Sequence, residues 1–217
     1  MIPPHALHRH GPTPDRPPRY LVVEGPIGVG KTTLVRALAE RLDARTVLEV
    51  FEENPFLARF YEDRERYAFP TEMFFLMSRF QQQELFAQED LLRRFAVSDY
   101  LFEKCRLFAS FTLDSSEYAL FAQMYDVLSR QVPTPDLVLH LHAPVATLLD
   151  RIATRGRDYE RGIERSYLET LDQRYHALFR QQASTAVLSI DTSEVDFRDP
   201  ATVDQLLALV GLGEGFA

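Results

Sequence analysis

Residues 20–42 read YLVVEGPIGVGKTTLVRALAERL, and this stretch decides the fold. The apolar run at 20–24 predicts a buried strand, and the amphipathic pattern at 31–42 predicts a helix. The turn between them matches G-x-x-x-x-G-K-[ST], in which glycines let backbone amides curl around phosphate oxygens. We therefore expect the phosphates of a nucleotide at Gly25, Pro26, Ile27, Gly28, Val29, Gly30, Lys31, Thr32 and Thr33.

Two side chains of this turn carry specific chemistry. Lys31 is placed to reach the β- and γ-phosphates, and the helix that opens there adds the positive end of its dipole. The Thr32 hydroxyl is a candidate Mg²⁺ ligand. The pattern predicts nucleotide binding but does not by itself say which reaction follows.

Strands and helices alternate along the rest of the chain. The predicted strands are 20–24, 46–49, 95–98, 136–141 and 186–190. The predicted helices include 31–42, 67–89, 102–113, 117–130, 166–182 and one after Pro200. This order is typical of an α/β fold with a five-stranded parallel sheet and helices on both faces. Residues 19–217 then form one domain, and the Pro- and His-rich residues 1–18 are expected to be a disordered tail.

Composition excludes several classes of protein. The formal net charge is −8, so a nucleic-acid partner is not expected. The chain has a single cysteine, Cys105, which agrees with a reducing, cytoplasmic location. No apolar run approaches the roughly 20 residues that span a bilayer, so we expect no membrane partner.

Four sequence blocks carry a resemblance to the deoxynucleoside kinase family. They are GPIGVGKTT at 25–33, LEVFEENPFLARFYEDRERYAF at 48–69, SRF at 78–80 and RIATRGRDYERGI at 151–163. The last looks like the family's arginine-rich lid, and EENPF resembles the bacterial purine-preferring members. The resemblance implies a three-layer P-loop kinase fold and transfer of a phosphoryl group from ATP, with Mg²⁺, to a deoxynucleoside 5′-hydroxyl.

The resemblance also implies catalytic residues. Glu49 matches the family's general base, a role in which Glu52 or Glu53 could compete. Asp99 follows the third strand and is a candidate Mg²⁺ ligand. The catalytic set is completed by Lys31 and the lid arginines Arg151 and Arg157, while Arg155, Asp191 and Thr192 are expected to bind nucleotide.

Four further positions are expected to bind the deoxynucleoside. Tyr61 and Glu160 match the pair that holds the 3′-hydroxyl in the family. Glu72 stands where the family usually has a base-reading glutamine, and Arg79 lies seven residues further on nearly the same helix face. An ionised Glu72 accepts from guanine N1 and N2 while Arg79 donates to O6 or N7. Two alternatives are a protonated Glu72 that accepts adenine, and a Glu72–Arg79 pair without ligand.

The chain departs from the family after the third strand. The family has an acid followed by arginine there, but this chain reads Asp99-Tyr100. Tyr100 is therefore a candidate substrate-binding residue, with a lid arginine as the other substitute, and slow turnover is a third outcome. Cys105 replaces a common aspartate, and we expect it to be an inert thiol.

The two long helical patterns at 67–89 and 117–130 correspond to the family's homodimer interface, so a homodimer is expected. Two other functions fit the phosphate-binding turn at 25–33. A nucleoside monophosphate kinase would need cations for its acceptor phosphate, and acids outnumber arginines in the region from Glu49 to Tyr67. A nucleotide-binding subunit without catalysis would have no need for the candidate base and the lid arginines together.

Overall fold

Six strands form one mixed sheet in the computed structural model, which describes residues 1–14, 16–89, 95–157, 160, 162–180 and 184–213. The strands are β1 (Leu7–His10), β2 (Tyr20–Glu24), β3 (Arg45–Val47), β4 (Ala96–Ser98), β5 (Leu137–His142) and β6 (Ala186–Asp191). Their order across the sheet is β1-β6-β5-β2-β4-β3. The five predicted strands are all present, and every pairing among them is parallel.

The sixth strand corrects the prediction made for the amino-terminal tail. Residues Leu7–His10 pair antiparallel with β6, with Leu7 opposite Ile190. Ile2 and Ala6 are buried in the main core cluster. A disordered tail over residues 1–18 is therefore wrong for the first ten residues, because the edge of β6 supplies hydrogen-bond partners that composition alone does not reveal.

Helices cover both faces of the sheet. They are α1 (Lys31–Leu42), α2 (Leu57–Glu62), α3 (Arg64–Glu89), α4 (Lys104–Thr112), α5 (Ser115–Leu128), α6 (Val145–Arg155), α7 (Arg165–Arg180) and α8 (Pro200–Leu209). Among the described residues, none of these helices combines the length and the apolar character that a bilayer crossing requires.

The two faces of β2 show how the layers are built. Leu21 and Val23 belong to the core cluster that includes apolar side chains of α1, α6 and α8. Tyr20 and Val22, which point the other way, belong to a second cluster with side chains of α3, α4 and α7. Burial on both faces explains why β2 is apolar without alternation, and the result is the three-layer fold expected from the sequence.

A third apolar cluster joins α3, α4 and α5, with Leu76, Phe121 and Tyr125 among its members. This cluster fixes α3 alongside the carboxyl end of β4. The side chains that α3 directs toward the sheet therefore face the residues that follow β3 and β4.

Candidate active site

The phosphate-binding turn lies between the end of β2 and the start of α1, as the motif requires. Two of its glycines are needed for close backbone approach. A Cβ on Gly25 would lie 2.1 Å from the Leu141 carbonyl oxygen, and one on Gly28, whose φ is +85°, would lie 2.9 Å from the Leu148 carbonyl oxygen. Only glycine fits these positions, so the sequence of the turn follows from its packing against β5 and α6.

The ammonium of Lys31 folds back under this turn. Its Nζ donates to the carbonyl oxygens of Gly25 at 2.7 Å and Pro26 at 3.1 Å. Burial, together with the positive charge of Lys104, lowers the pKa of Lys31 to about 8. The lysine is thus held as a charged donor at the place where the motif expects phosphate.

Asp99 joins three parts of the site. One carboxylate oxygen accepts from the Thr32 hydroxyl at 3.0 Å, and the other accepts from the Glu49 amide at 2.7 Å. Burial raises the pKa of Asp99 above its usual value. The two predicted Mg²⁺ ligands, Thr32 and Asp99, are therefore neighbours, and both offer the hard oxygen atoms that Mg²⁺ prefers.

Glu49 follows β3, and its carboxylate lines the cavity in front of the phosphate turn. Arg79 donates to one carboxylate oxygen through Nε, at 2.9 Å, and through Nη2. Lys104 donates to the other oxygen at 2.8 Å. Burial alone would raise the pKa of Glu49, but these two cations hold it well below its usual range. Of the acids considered as competitors, Glu53 is exposed, and the side chain of Glu52 lies outside the described residues.

Lys104 is a functional candidate that the sequence reasoning missed. It begins α4, six residues after the carboxyl end of β4, and lines the same cavity as Lys31 and Glu49. The signal that could have found it is its spacing, five residues after Asp99, where a helix that follows a parallel strand faces the ligand.

Tyr100 lies behind the cavity. Its ring is fully buried, and its hydroxyl donates to the Arg79 carbonyl oxygen at 3.3 Å. Tyr100 is not among the residues that line the cavity, which differs from the predicted contact with substrate. The positive charge beside Glu49 comes instead from Arg79 and Lys104.

Glu72 and Arg79 are both buried in the cavity wall but serve different partners. Glu72 accepts from the Thr112 hydroxyl at 3.0 Å, and burial, partly offset by Arg79, raises its pKa to about 7. The Arg79 guanidinium donates to Glu49 and, at 3.2 Å, to the Cys105 sulfur. Arg79 thus donates to Glu49 and Cys105 and not to Glu72, unlike the alternative of a Glu72–Arg79 pair, while its contact with guanine stays a prediction.

Cys105 is a buried thiol whose pKa burial raises above the usual value. It matches the expected inert residue, because a raised pKa disfavours the reactive thiolate.

The lid arginines are held in two groups. Arg151 donates to the Thr192 hydroxyl at 3.0 Å and to its carbonyl oxygen at 2.7 Å. Arg155 donates to the carboxylate of Glu160 at 2.5 and 3.1 Å, and Arg157 lies 3.7 Å from it. All three lid arginines line a neighbouring cleft beside the phosphate turn, and Arg155 and Arg157 also line the cavity, so all three lie close to the expected phosphates.

Tyr61 and Glu160 line one side of the cavity, as the predicted 3′-hydroxyl pair requires.

Asp191 accepts from the amide and hydroxyl of Ser193 and does not line either cleft, which differs from the predicted nucleotide contact. The wall of the second cleft is formed by residues 193–198, a segment that the sequence reasoning missed because it carries no motif.

The largely parallel sheet, the glycine-rich turn and the cavity beside it, lined by both acidic and basic side chains, define a kinase of the P-loop fold. The deoxynucleoside kinase family model matches residues 21–208. The chain is 34% identical over 183 residues to deoxyguanosine kinase of Bacillus subtilis, covering 82% of this chain and 88% of that one. It is also 34% identical to deoxyadenosine kinase of Dictyostelium discoideum over 191 residues, covering 87% and 77% of the two chains.

Solved structures of deoxyadenosine kinase from M. mycoides share the fold. One, with products dCMP and a flexible dCDP bound, superposes with a TM-score of 0.78 at 21% identity and covers 88% of this chain and 98% of that chain. The chain described here belongs to the deoxynucleoside kinase family and is an enzyme that phosphorylates a deoxynucleoside.

Proposed function

We propose that this enzyme transfers the γ-phosphoryl group of ATP to the 5′-hydroxyl of a purine deoxynucleoside, for nucleotide salvage in the cytoplasm. The observation that carries the proposal is that Glu49 lines the same cavity as Lys31 and Thr32. A hydroxyl held by the carboxylate would therefore face a phosphate held by the turn. Such positioning supplies much of the catalysis in phosphoryl transfer.

Glu49 acts on the acceptor in this proposal. Its carboxylate accepts a hydrogen bond from the 5′-hydroxyl and so turns an oxygen lone pair toward phosphorus. Because Arg79 and Lys104 keep the pKa of Glu49 low, the proton moves to the carboxylate only as the new O–P bond forms. Lys31 and the lid arginines Arg151, Arg155 and Arg157 offset the charge of the transferring group.

Thr32 and Asp99 would hold Mg²⁺. The fit rests on their adjacency, since the hydroxyl and the carboxylate are 3.0 Å apart and both face the turn. When bound, the ion would neutralise negative charge on the phosphates.

Glu72 supports a purine as the base. Its carboxyl group is buried in the cavity wall, with the Thr112 hydroxyl as its hydrogen-bond donor. The ionised form can accept two hydrogen bonds from guanine N1 and N2, whereas the protonated form offers the donor–acceptor pair that adenine needs. Deoxyguanosine is the preferred substrate in this proposal, with deoxyadenosine as the second.

The sugar would lie between Tyr61 and Glu160. Gly162 packs against Tyr61, because a Cβ there would lie 3.7 Å from the Tyr61 Cβ. A tyrosine and a carboxylate on one side of the cavity are suited to a 3′-hydroxyl and leave little room for a 2′-hydroxyl.

A homodimer is the proposed assembly. Met77 and Leu85 on α3 and Leu120 and Val127 on α5 are large apolar side chains that remain exposed. Leu120 and Val127 are seven residues apart and share one helix face. Covering this patch with a second copy would remove apolar surface from water.

The decisive experiment measures ADP release from ATP with deoxyguanosine, deoxyadenosine, deoxycytidine, thymidine and guanosine as separate acceptors. We expect the two purine deoxynucleosides to give the highest kcat/KM and guanosine to give a much lower value. Lys31→Ala should abolish release and weaken ATP binding, while Arg41→Ala, which lies on the same helix as Lys31 and removes a surface ion pair with Asp204, should retain most activity. Release with a deoxynucleoside monophosphate and none with deoxynucleosides would contradict the proposal.

A further inference from the structure

The chain contains only two lysines among its 24 basic residues, Lys31 and Lys104, and both line the same cavity. Lys31 belongs to the phosphate-binding motif, whereas Lys104 belongs to no motif. Lys104 is 6% exposed, and a charged lysine is rarely so buried without a partner or a task. Because Lys104 is buried, solubility does not explain why a lysine stands at this position.

The partner of Lys104 is the carboxylate that is proposed to hold the acceptor hydroxyl. Its Nζ lies 2.8 Å from Glu49 Oε2 and 5.8 Å from the centroid of the Phe108 ring. Burial alone would lower the pKa of Lys104, but the Glu49 carboxylate raises it above its usual value. The group is therefore an ammonium ion at neutral pH.

Arg79 already neutralises Glu49 from the other side. Its Nε and Nη2 donate to Oε1, its Nη1 donates to the Cys105 sulfur, and its guanidinium lies 4.7 Å from the Phe75 ring centroid. All three nitrogens of the guanidinium are engaged, and the planar group is held between its neighbours. Arg79 is therefore a fixed counter-ion, and a second cation is not needed for charge balance alone.

Lys104 differs from Arg79 in the number of hydrogen-bond donors that remain for a ligand. Among the hydrogen bonds of the described residues, its ammonium makes one, to Glu49, and an ammonium has three donors. A hydroxyl that donates to Glu49 Oε2 shares this acceptor with Lys104, so its oxygen would lie roughly 3–5 Å from Nζ. A small movement of the flexible side chain would bring the two into contact.

We propose that Lys104 is a catalytic residue whose ammonium contacts the 5′-oxygen and the transferring phosphoryl group, an inference that rests on the proposed function. The 5′-oxygen attacks the γ-phosphorus with a lone pair, and the O–P bond forms as the bond to the bridging oxygen breaks. ADP departs with that electron pair, and the hydroxyl proton passes to Glu49. Lys104 keeps its proton and stabilises the negative charge between acceptor and phosphorus.

A double-mutant cycle separates this role from that of a counter-ion. Lys104→Met should lower kcat by roughly 100-fold or more while the KM for ATP changes little. In a Glu49→Gln background there is no charge left to balance, yet Lys104→Met should still lower kcat by about 10-fold or more. Lys104→Arg should recover part of the rate. Equal rates for Glu49→Gln and the double variant would show that Lys104 only neutralises Glu49, and would overturn the proposal.

The scarcity of lysine allows a second readout that does not depend on turnover. With ¹⁵N-labelled lysine, the two side-chain ammonium signals are assigned through Lys104→Arg, which removes one of them. Adding deoxyguanosine with a non-hydrolysable ATP analogue should shift the Lys104 signal, and adding the ATP analogue alone should shift mainly the Lys31 signal. A Lys104 signal that is unmoved in the ternary complex contradicts the contact.

The experiments distinguish a failure of the proposed function from a failure of the role proposed for Lys104. If the wild-type enzyme shows no release of ADP that depends on a deoxynucleoside, that proposal is refuted before any variant is compared. If the wild type is active and the cycle shows no independent loss, only the role of Lys104 is refuted. Circular dichroism and thermal melting of each variant exclude misfolding as the cause of a low rate.

Discussion

The carboxylate of Asp99 accepts a hydrogen bond from the backbone amide of Glu49, with 2.7 Å between oxygen and nitrogen. The second oxygen of Asp99 accepts from Thr32, in the first turn of α1. Asp99 thus connects the ends of β3 and β4 to the phosphate turn. Any change in the charge of Asp99 therefore affects both the candidate base, Glu49, and the candidate metal ligand, Thr32.

Asp99→Asn should weaken metal binding while retaining the hydrogen bond to the Glu49 amide. Loss of the negative charge is expected to raise the Mg²⁺ concentration for half-maximal activity by roughly 10-fold. Binding of Mn²⁺ in the presence of ADP, followed by electron paramagnetic resonance, should weaken in parallel. Asp204→Asn, which alters a surface ion pair with Arg41, is the comparison variant. An unchanged metal requirement in Asp99→Asn would exclude Asp99 as a ligand.

Glu72 should make the purine preference depend on pH. Because its pKa is raised to about 7, the carboxyl group is mostly protonated at pH 6 and mostly ionised at pH 8. The ratio of kcat/KM for deoxyguanosine to that for deoxyadenosine follows the ratio of ionised to protonated Glu72, so it should rise by up to about 100-fold between these values. Other titrating groups affect both substrates alike and cancel in the ratio.

Glu72→Gln should remove this pH dependence and shift the preference toward deoxyadenosine, since an amide offers one donor and one acceptor. Glu53→Gln changes an exposed acid and should leave the pH profile as it is. A ratio that stays flat in the wild type would mean that Glu72 does not read the base.

The exposed apolar patch on α3 and α5 predicts the oligomeric state. Leu120→Glu combined with Val127→Glu should convert a dimer into a monomer, because a buried interface cannot accommodate unpaired carboxylates. Light scattering during size-exclusion chromatography measures the mass directly. Leu209→Glu, an exposed leucine on α8, should leave the mass unchanged. A wild-type protein that is monomeric at all concentrations would rule out the interface.

His140 should make the folded state sensitive to acid. Its ring is buried beside His142 and His176, and its Nδ1 lies 3.0 Å from the Ser189 hydroxyl. Burial, with smaller effects of these histidines, lowers the pKa of His140 to about 2. A depressed folded-state pKa means that stability is fully present above about pH 6.5 and is lost as pH falls toward the folded value.

The loss from His140 should approach about 1.4 kcal/mol per pH unit below pH 6. Urea unfolding of the wild type and of His140→Gln between pH 4.5 and 7.5 tests this, because glutamine does not titrate and should flatten the slope. His8→Gln, at an exposed position of β1, should keep the wild-type slope. Identical slopes for wild type and His140→Gln would contradict the assignment.

Much of the site was predictable because its signals are local. The turn at 25–32 carries its own requirement for glycine, and the acids Glu49 and Asp99 stand where parallel strands end. Lys104 was not predictable in this way. A lysine in a helix is normally exposed, and its burial depends on how α4 is placed against α3 and α5.

The partner of Arg79 shows a second limit of sequence reasoning. Glu72 and Arg79 do share a face of α3, as their spacing of seven residues indicates. A long side chain can nevertheless reach along the helix, and the guanidinium turns toward Glu49, which lies thirty residues earlier in the chain. Only the packing of α3 against the sheet decides between these partners.

Pairing between β1 and β6 has a consequence for solubility. Without β1, the five buried residues Ala186–Ile190 of β6 would lie at an open sheet border, with free amides and carbonyls beside apolar side chains. Such a border invites other chains to add strands and aggregate. At the opposite border, β3 has three residues and is too short to recruit a neighbour effectively. The first ten residues therefore cover the edge of β6 and prevent other chains from adding a strand there.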